Sequence, residues 1–401
     1  MTIKIAERMS RIKPSASSVA SQRAREMKAE GRDVIALSAG EPDFPTPAHV
    51  VEAAFEAARN GETRYTNAAG IPALKQAVID KFKRENGLDY AMDEVMVGSG
   101  GKQLLFDALV STVERGDEVI VPAPYWITYI DHVKYAGGTP VIVTATSENG
   151  FKLTPEQLEA AITPNTRWLI LNSPSNPSGA VYERDELRGL ADVLLRHPHV
   201  AIFADDIYEH IIFDDLEFCT IAAVEPKLKD RTVTMNGASK VYSMTGWRIG
   251  YCGGPAPLIK EMTKLQQQIT GSNSSVSQAA ALAALNGPQD FVKTNTKSFQ
   301  ERRDLVVSML NQTTGLKCPT PKGAFYVFPD CSALIGKKTP DGTVIENDTD
   351  LVMYFLESHG VACVQGDAYG MSPYFRISYA AAEDELRDAC ERIQRACAAL
   401  T

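Results

Sequence analysis

The sequence has no excess of basic residues, no long apolar run and no cysteine spacing typical of a metal site. Its 401 residues carry a formal net charge of -9, which argues against a nucleic-acid-binding protein. Apolar runs stay below the roughly 18 residues that a membrane-spanning helix needs. The seven cysteines include no Cys-x-x-Cys pair, and the N-terminal residues include no secretory apolar region. We therefore expect a cytoplasmic protein with no nucleic-acid partner, no membrane partner and no metal.

The chain instead contains a regular alternation of apolar strands and amphipathic helices. Six candidate strands precede residue 238: EVMVG, DEVIVP, TPVIVTA, RWLILNSP, HVAIFADD and RTVTMNG. Helical segments such as GKQLLFDALVSTVERG and RDELRGLADVLLRH follow most of them. Continuous apolar strands that alternate with helices predict an α/β fold, with a mostly parallel sheet covered on both faces.

The pattern changes after this region. Residues 256–310 predict one or two long amphipathic helices, and GAFYVFPD, VACVQG and YFRISYA predict short strands of a smaller α+β lobe. We divide the chain into an N-terminal arm with part of the small domain (1–47), a large domain (48–300) and a small C-terminal domain (301–401). The length of the chain also favours more than one domain.

Polar, glycine-rich and aromatic residues follow the predicted strands. Functional residues of parallel sheets gather at the carboxyl ends of the strands. The residues in such positions are Gly100-Gly101, Pro124 to Trp126, Asn172 to Asn176, Asp205-Asp206 and Ser239-Lys240. We therefore expect a functional site among these residues.

The segment VGSGGKQ, Val97 to Gln103, lies between a predicted strand and a predicted helix. Free N–H groups at a helix start bind anions, phosphate above all. Gln103 stands where a dinucleotide-binding fingerprint needs its third glycine, and the segment does not fit a P-loop either. It is either an anion site or an ordinary tight turn, and the failed fingerprint disfavours a nicotinamide-dependent dehydrogenase.

The segment FADDIY places Asp205 and Asp206 at a strand end. Aspartate is common there as a helix N-cap, but a carboxylate can also bind a metal or a cationic ring nitrogen. The nearby histidines His197, His199 and His210 show no recognised ligand spacing, which disfavours a metal.

Lys240 follows an apolar strand and a run of small residues. Most lysines are solvated surface charges, yet this setting favours a partly buried amine. Burial lowers the pKa of an amine and makes it a nucleophile toward carbonyls. Arg248, eight positions later, is suited to a bidentate phosphate contact. An amine and a phosphate-binding arginine on one loop point to pyridoxal phosphate.

The stretch GASKVYSMTGWRIG, residues 237–250, resembles the lysine signature of the class I and II aminotransferases at every position. The resemblance covers essentially the whole chain and is closest to bacterial aspartate aminotransferases of subgroup Ib. Further support comes from SAGEPDFPTP, TRYTNAAGIPALK, GSGGKQ, PAPYW, NSPSNPSGAVY, ADDIYEH, PKGAFYVFP and FRISYA. It implies fold type I of the pyridoxal-phosphate enzymes, with a mostly parallel seven-stranded sheet in the large domain and a smaller α+β domain.

The resemblance also implies roles for individual residues. Lys240 would bind the cofactor aldehyde as a Schiff base and then move a proton, Asp205 would pair with the ring nitrogen, and Tyr208 would contact the phenolic oxygen. The remaining cofactor contacts would be Gly100, Gly101, Lys102, Ser239 and Arg248 at the phosphate, Trp126 on the ring face and Asn176 at the phenolic oxygen. Tyr65 would reach the phosphate of the other subunit, which implies a homodimer with shared active sites.

Substrate contacts follow from the same resemblance. Arg376 matches the arginine that binds the α-carboxylate, and the other substrate contacts would be Gly40, Lys102, Trp126, Asn176 and Lys13. The segment TGSNSSVSQ has no arginine for a side-chain carboxylate, a task that subgroup Ib assigns partly to the lysine matching Lys102. Ser17 replaces the usual threonine, and YTNAAG replaces the usual YTPVSG.

The function expected from the resemblance is ping-pong transfer of the amino group from L-aspartate to 2-oxoglutarate, giving oxaloacetate and L-glutamate. The nearest alternative is a prephenate or aromatic amino acid aminotransferase of the same subgroup. A lyase or synthase of the same fold and a non-catalytic cofactor-binding regulator remain open. The regulator is disfavoured because the chain has no basic DNA-binding segment.

Overall fold

The structure is a computed structural model that describes residues 3–401. Twelve strands occur among these residues: β1 (Ile35–Ala36), β2 (Val95–Gly98), β3 (Glu118–Ala123), β4 (Thr139–Thr144), β5 (Thr166–Asn172), β6 (Ala201–Asp205), β7 (Thr232–Gly237), β8 (Gly250–Gly253), β9 (Tyr326–Val327), β10 (Val361–Ala362), β11 (Val364–Gln365) and β12 (Phe375–Ser378).

The described residues also form thirteen α-helices. They are α1 (Ala16–Ala29), α2 (Ala48–Arg59), α3 (Pro72–Lys81), α4 (Gly101–Thr112), α5 (Thr128–Ala136), α6 (Pro155–Ala161), α7 (Arg184–Arg196), α8 (Ile221–Val224), α9 (Ala256–Ile269), α10 (Ser275–Asn286), α11 (Asp290–Asn311), α12 (Asp348–His359) and α13 (Glu383–Ala398). No helix within residues 3–401 has both the length and the apolar character needed to cross a bilayer.

A seven-stranded sheet in the order β2-β8-β7-β6-β5-β3-β4 forms the centre of the molecule. Strand β8 runs antiparallel to its neighbours β2 and β7, and the other pairs are parallel. This confirms the mostly parallel sheet expected from the sequence. The six strands predicted before residue 238 are all present, whereas β8 was not predicted, since its sequence GYCG has little of the apolar pattern of a buried strand.

Helices cover both faces of this sheet. Leu104, Leu105 and Ala108 of α4 pack on one face, and Leu187 and Leu190 of α7 pack on the other. The register pairs Asn172 of β5 with Asp205 of β6, so the polar residues at both strand ends reach the same edge of the sheet. Burial on both faces explains the continuous apolar strands seen in the sequence.

The smaller lobe is built from segments near both ends of the chain. Strands β11, β12 and β9 form an antiparallel sheet, while β1 pairs in parallel with β10. The predicted strand VACVQG is therefore two short strands that belong to different sheets. Helices α12 and α13 supply apolar side chains such as Phe355 and Ile393 to the core of this lobe.

The segment predicted as one or two helices over 256–310 is three helices: α9, α10 and α11. The first break lies at Gly271, whose φ of 75° is unfavourable for other residues, and Ser274 then caps α10 by accepting from the backbone N–H of Ser277. The second break lies at Gly287-Pro288. The two glycines and the cap were visible in the sequence but were outweighed by the apolar periodicity around them.

Candidate active site

A cavity of about 330 Å³ lies at the carboxyl ends of the parallel strands, between the large sheet and the smaller lobe. Most of the residues predicted for the site line it, although they are far apart in the sequence. They are Gly40, Gly101, Lys102, Trp126, Asn176, Asp205, Tyr208, Ser239, Lys240, Arg248 and Arg376. The large sheet brings together those that follow its strands, such as Asn176, Asp205 and Lys240, because these strands end at one edge. Gly40 and Arg376 come from the smaller lobe, where they follow β1 and lie in β12.

Lys240 lies on the loop after β7 with its amine in the cavity. Its Nζ donates a hydrogen bond to the carbonyl oxygen of Gly40 at 2.5 Å. Burial, followed by the positive charge of Arg376, lowers the pKa of Lys240 to about 8. The amine therefore has an appreciable neutral fraction near physiological pH, as a nucleophile or a general base requires.

Asp205 ends β6 and is buried at the base of the cavity. Its Oδ2 accepts from the hydroxyl of Tyr129 at 2.6 Å, and its Oδ1 accepts from the backbone N–H of Ile207 at 3.4 Å. Burial raises the pKa of Asp205 to about 6. A cationic group bound in the cavity would stabilise a desolvated carboxylate of this kind.

Tyr208 lies three residues beyond Asp205 and faces the smaller lobe. Its hydroxyl is 2.8 Å from the hydroxyl of Tyr326. Burial raises the pKa of Tyr208 well above its usual value and that of Tyr326 to about 12. Both phenols therefore stay protonated, and one of them can donate a hydrogen bond into the cavity.

Arg376 of β12 is a buried guanidinium, only 2% exposed. Its Nη1 donates to Asn176 Oδ1 at 3.0 Å, and its Nη2 donates to the carbonyl oxygen of Ser38 at 2.6 Å. The planar group lies over the Tyr326 ring at 4.5 Å. Its Nε has no hydrogen-bond partner among the described residues. A buried cation held by neutral acceptors is suited to binding a carboxylate from the cavity.

The start of α4 and Arg248 form an anion cradle. Gly100 has a φ of 87°, and a Cβ at that position would overlap the Arg248 guanidinium. Gly101 and Lys102 begin α4, where backbone N–H groups have no carbonyl partner within the helix. Arg248 is held by donation from Nη1 to the carbonyl oxygen of Thr245 at 2.9 Å. The cradle is therefore suited to a phosphate group.

Lys102 and Trp126 lie together at the mouth of the cavity. The Lys102 ammonium is 5.1 Å from the centre of the Trp126 ring. Partial burial lowers the pKa of Lys102, and the positive charge of Arg248 lowers it further. Tyr129 packs edge-on against Trp126, with ring centres 5.5 Å apart, and thereby fixes the aromatic wall of the cavity.

Two predicted site residues lie away from the cavity of their own chain. Tyr65 is 98% exposed, and Lys13 is exposed two residues before Ser15, which lines the cavity. Tyr129 and Tyr326 line the cavity as well, although none of the sequence motifs assigns a role to either. Tyr129 could have been found from its position three residues after Trp126, on the first turn of α5.

One group of possible metal ligands occurs among the described residues, outside the cavity. Oxygen or nitrogen atoms of Glu85, Glu209 and His210 lie within 4.8 Å of one another. The fully buried Lys81 donates to Glu209, and also to Asn86 Oδ1 at 2.7 Å. An ammonium group therefore already supplies the positive charge in this cluster, which is an ion-pair network between α3 and the loop after β6.

Comparisons with known proteins agree with this geometry. A family model for the class I and II aminotransferases matches residues 32–393. The probable aspartate/prephenate aminotransferase of Rhizobium leguminosarum bv. phaseoli is 56% identical over 395 residues, covering 98% of this chain and 99% of that protein. The aspartate/prephenate aminotransferase of Cereibacter sphaeroides is 57% identical and covers 99% of both chains.

Solved structures are similar over the same length. The crystal structure of the aspartate aminotransferase from Rhizobium meliloti is 55% identical, covers 100% of both chains and has a TM-score of 0.97. The Thermus thermophilus aspartate aminotransferase with maleate is 40% identical, covers 98% of this chain and 100% of that one, and has a TM-score of 0.92. The chain belongs to the class I and II aminotransferase family and is a transaminase of fold type I.

Proposed function

We propose that this transaminase uses pyridoxal phosphate to transfer the amino group of L-aspartate to 2-oxoglutarate, giving oxaloacetate and L-glutamate. The observation that carries the proposal is the placement of three complementary groups in one cavity: the Lys240 amine, the Asp205 carboxylate and the anion cradle at Arg248. The names of the relatives from Rhizobium and Cereibacter support aspartate as a substrate.

The three groups match the three polar parts of pyridoxal phosphate. Lys240 is suited to the aldehyde, and the anion cradle at the start of α4 and Arg248 is suited to the phosphate, with Ser239 as a further contact. Asp205 is suited to a protonated ring nitrogen, since a cation there would compensate the burial that raises the pKa of this carboxylate. Bound pyridoxal phosphate supplies an electron sink for the charge that develops on the substrate α-carbon.

The residues of the chain then perform binding and proton transfer. Arg376 binds the substrate α-carboxylate through its planar guanidinium, while Asn176 holds that guanidinium in place. Lys240, with a pKa near 8, removes the proton from the substrate α-carbon and would deliver it to the bound cofactor, so that the donor can leave as an oxo acid. The reaction runs as two half-reactions, and the donor leaves as an oxo acid before the acceptor enters.

The mouth of the cavity determines the choice of substrate. Lys102 is placed to bind a side-chain carboxylate, and the segment 270–278 contributes no arginine. Ser15 and Ser17 line the same mouth with small side chains, which leaves room for an acceptor larger than 2-oxoglutarate. We therefore propose prephenate as a second acceptor, in agreement with the names of the relatives.

We also propose that the chain acts as a homodimer in the cytoplasm. A tyrosine that is 98% exposed is unusual for an isolated chain, and Tyr65 would be buried if it reached the phosphate site of a second copy. Light scattering of the purified protein would measure the mass in solution. Tyr65→Phe keeps the ring and removes the hydroxyl. It should weaken cofactor binding and leave the mass of the assembly in solution unchanged.

The test of the proposed function is a visible absorption band that shifts when L-aspartate is added to the purified protein. A panel of kcat/KM values with 2-oxoglutarate and with prephenate would then rank the acceptors. Absence of the band after incubation with pyridoxal phosphate, or a band that no amino donor shifts, would contradict the proposal.

A further inference from the structure

The segment 40–46, which follows β1, lies directly on the loop that runs from Lys240 to Arg248. Glu41 Oε2 accepts from the Thr245 hydroxyl at 2.9 Å. Thr46 Oγ1 donates to the Ser243 carbonyl oxygen at 2.7 Å and accepts from the Trp247 indole N–H at 3.1 Å. These hydrogen bonds join a segment next to the smaller lobe to the loop that carries the reactive lysine.

The loop needs such support because part of its backbone is strained. Ser243 has a φ of 52° and Arg248 a φ of 56°, in the left-handed region that residues other than glycine rarely adopt. Thr245 lies between them, and its carbonyl oxygen also accepts from Arg248 Nη1. The side chain of Thr245 is thus held by Glu41, and its backbone by Arg248.

The charge of Glu41 also acts on the lysine. The charged groups that face Lys240 are Arg376, Arg248, Asp205 and Glu41. The two arginines lower the pKa of Lys240, and the two carboxylates raise it. Asp205 is buried and hydrogen-bonded to Tyr129 at the base of the cavity, whereas Glu41 lines the cavity from its solvent-exposed side.

We propose that Glu41 is a positioning residue of this enzyme, which anchors the lysine loop through Thr245 and places a negative charge in the cavity that Lys240 shares with two arginines. Glu41 belongs to none of the groups assigned above to cofactor or substrate. It acts on the reaction through Lys240, because it holds the loop that carries this lysine and contributes to the charge around the amine.

The proposal rests on the proposed function only for the role of Lys240, so its test includes a measurement that needs no turnover. In the full-length chain without cofactor, labelling with 1-fluoro-2,4-dinitrobenzene across a pH series, followed by peptide mapping, reports the pKa of the Lys240 amine. In the chain loaded with pyridoxal phosphate, the pH midpoint of the visible band reports the same charge environment. A wild-type protein without a visible band would contradict the proposed function and leave the labelling test intact.

Glu41→Gln should lower both pH midpoints by about 0.5 unit, because it removes a negative charge that acts through a partly aqueous medium. Glu41→Asp should keep the wild-type midpoints. Thr245→Val keeps the charge and removes the hydrogen bond, so it should shift the midpoints less than Glu41→Gln does. Asp43→Asn is the matched control, because Asp43 lies in the same segment but pairs with Arg302 at 2.7 Å.

Unchanged midpoints in Glu41→Gln would overturn the proposal. An equal shift in Thr245→Val would overturn the role of the charge, because the effect would then come from movement of the loop. A shift of the same size in Asp43→Asn would show that any carboxylate in the segment has this effect and would also overturn the assignment to Glu41.

Discussion

Replacement of Arg376 by lysine tests how the enzyme holds the part that all its amino-acid substrates share. The guanidinium donates to Asn176 and to Ser38, and its buried Nε has no hydrogen-bond partner among the described residues. A lysine keeps the positive charge but has no planar fork, so it cannot maintain both internal hydrogen bonds and a two-point contact with a carboxylate. The substrate should lose one charge-assisted hydrogen bond.

A hydrogen bond to a charged group contributes about 2 kcal/mol, which corresponds to roughly a 30-fold change in binding. In the proposed function this contact forms in the bound substrate as well as in the transition state, so Arg376→Lys should raise KM and leave kcat nearly unchanged. Initial rates with aspartate, glutamate and phenylalanine as donors measure both constants. All three donors should be affected alike, because they share the α-carboxylate.

Arg302→Lys is the matched control, since Arg302 pairs with Asp43 outside the cavity and should leave KM unchanged. A rise in KM confined to aspartate and glutamate would refute the reasoning, because Arg376 would then bind the side-chain carboxylate. Thermal unfolding of each variant would show whether a change in KM accompanies a loss of stability.

Three further predictions concern other residues of the cavity. Lys240→Ala should abolish both the visible band and turnover, and retained activity would refute the assigned role. Lys102→Ala should raise KM for aspartate and glutamate more than for phenylalanine, whereas equal losses would place this lysine at the cofactor alone. In the cofactor-free chain, the pKa of about 6 for Asp205 lies above the ordinary carboxyl value, so the folded protein binds this proton more tightly than the unfolded chain does. Stability should therefore fall by about 3 kcal/mol as the pH rises from about 4 to about 6, and Asp205→Asn should remove that fall. Unfolding temperatures measured across this range would check it, and identical profiles for both proteins would contradict it.

Much of the architecture was predictable because buried parallel strands are continuous apolar runs. The apolar runs predict the strands that end at Asn172 and Asp205 and the strand that precedes Lys240. The prediction that the ends of these strands share one edge of the sheet is confirmed by the registers of β5 with β6 and of β6 with β7. Strand β8 was missed because glycines occupy two of its four positions. The breaks between α9, α10 and α11 were missed because amphipathic periodicity continues across them.

The lysine signature between residues 237 and 250 identifies the family from the chain alone, because a nucleophilic amine and a phosphate-binding arginine at this spacing are a local feature. Other parts of the site depend on contacts between segments far apart in the sequence. Tyr129 meets Asp205 only when α5 packs against the sheet, and Tyr326 meets Tyr208 only when the smaller lobe closes one side of the cavity. Glu41 reaches Thr245 across 204 positions. Residue type and spacing therefore determine the chemistry that this chain can perform, while packing in three dimensions determines the pKa values and the orientation of the groups that perform it, because burial and neighbouring charges arise only in the folded chain.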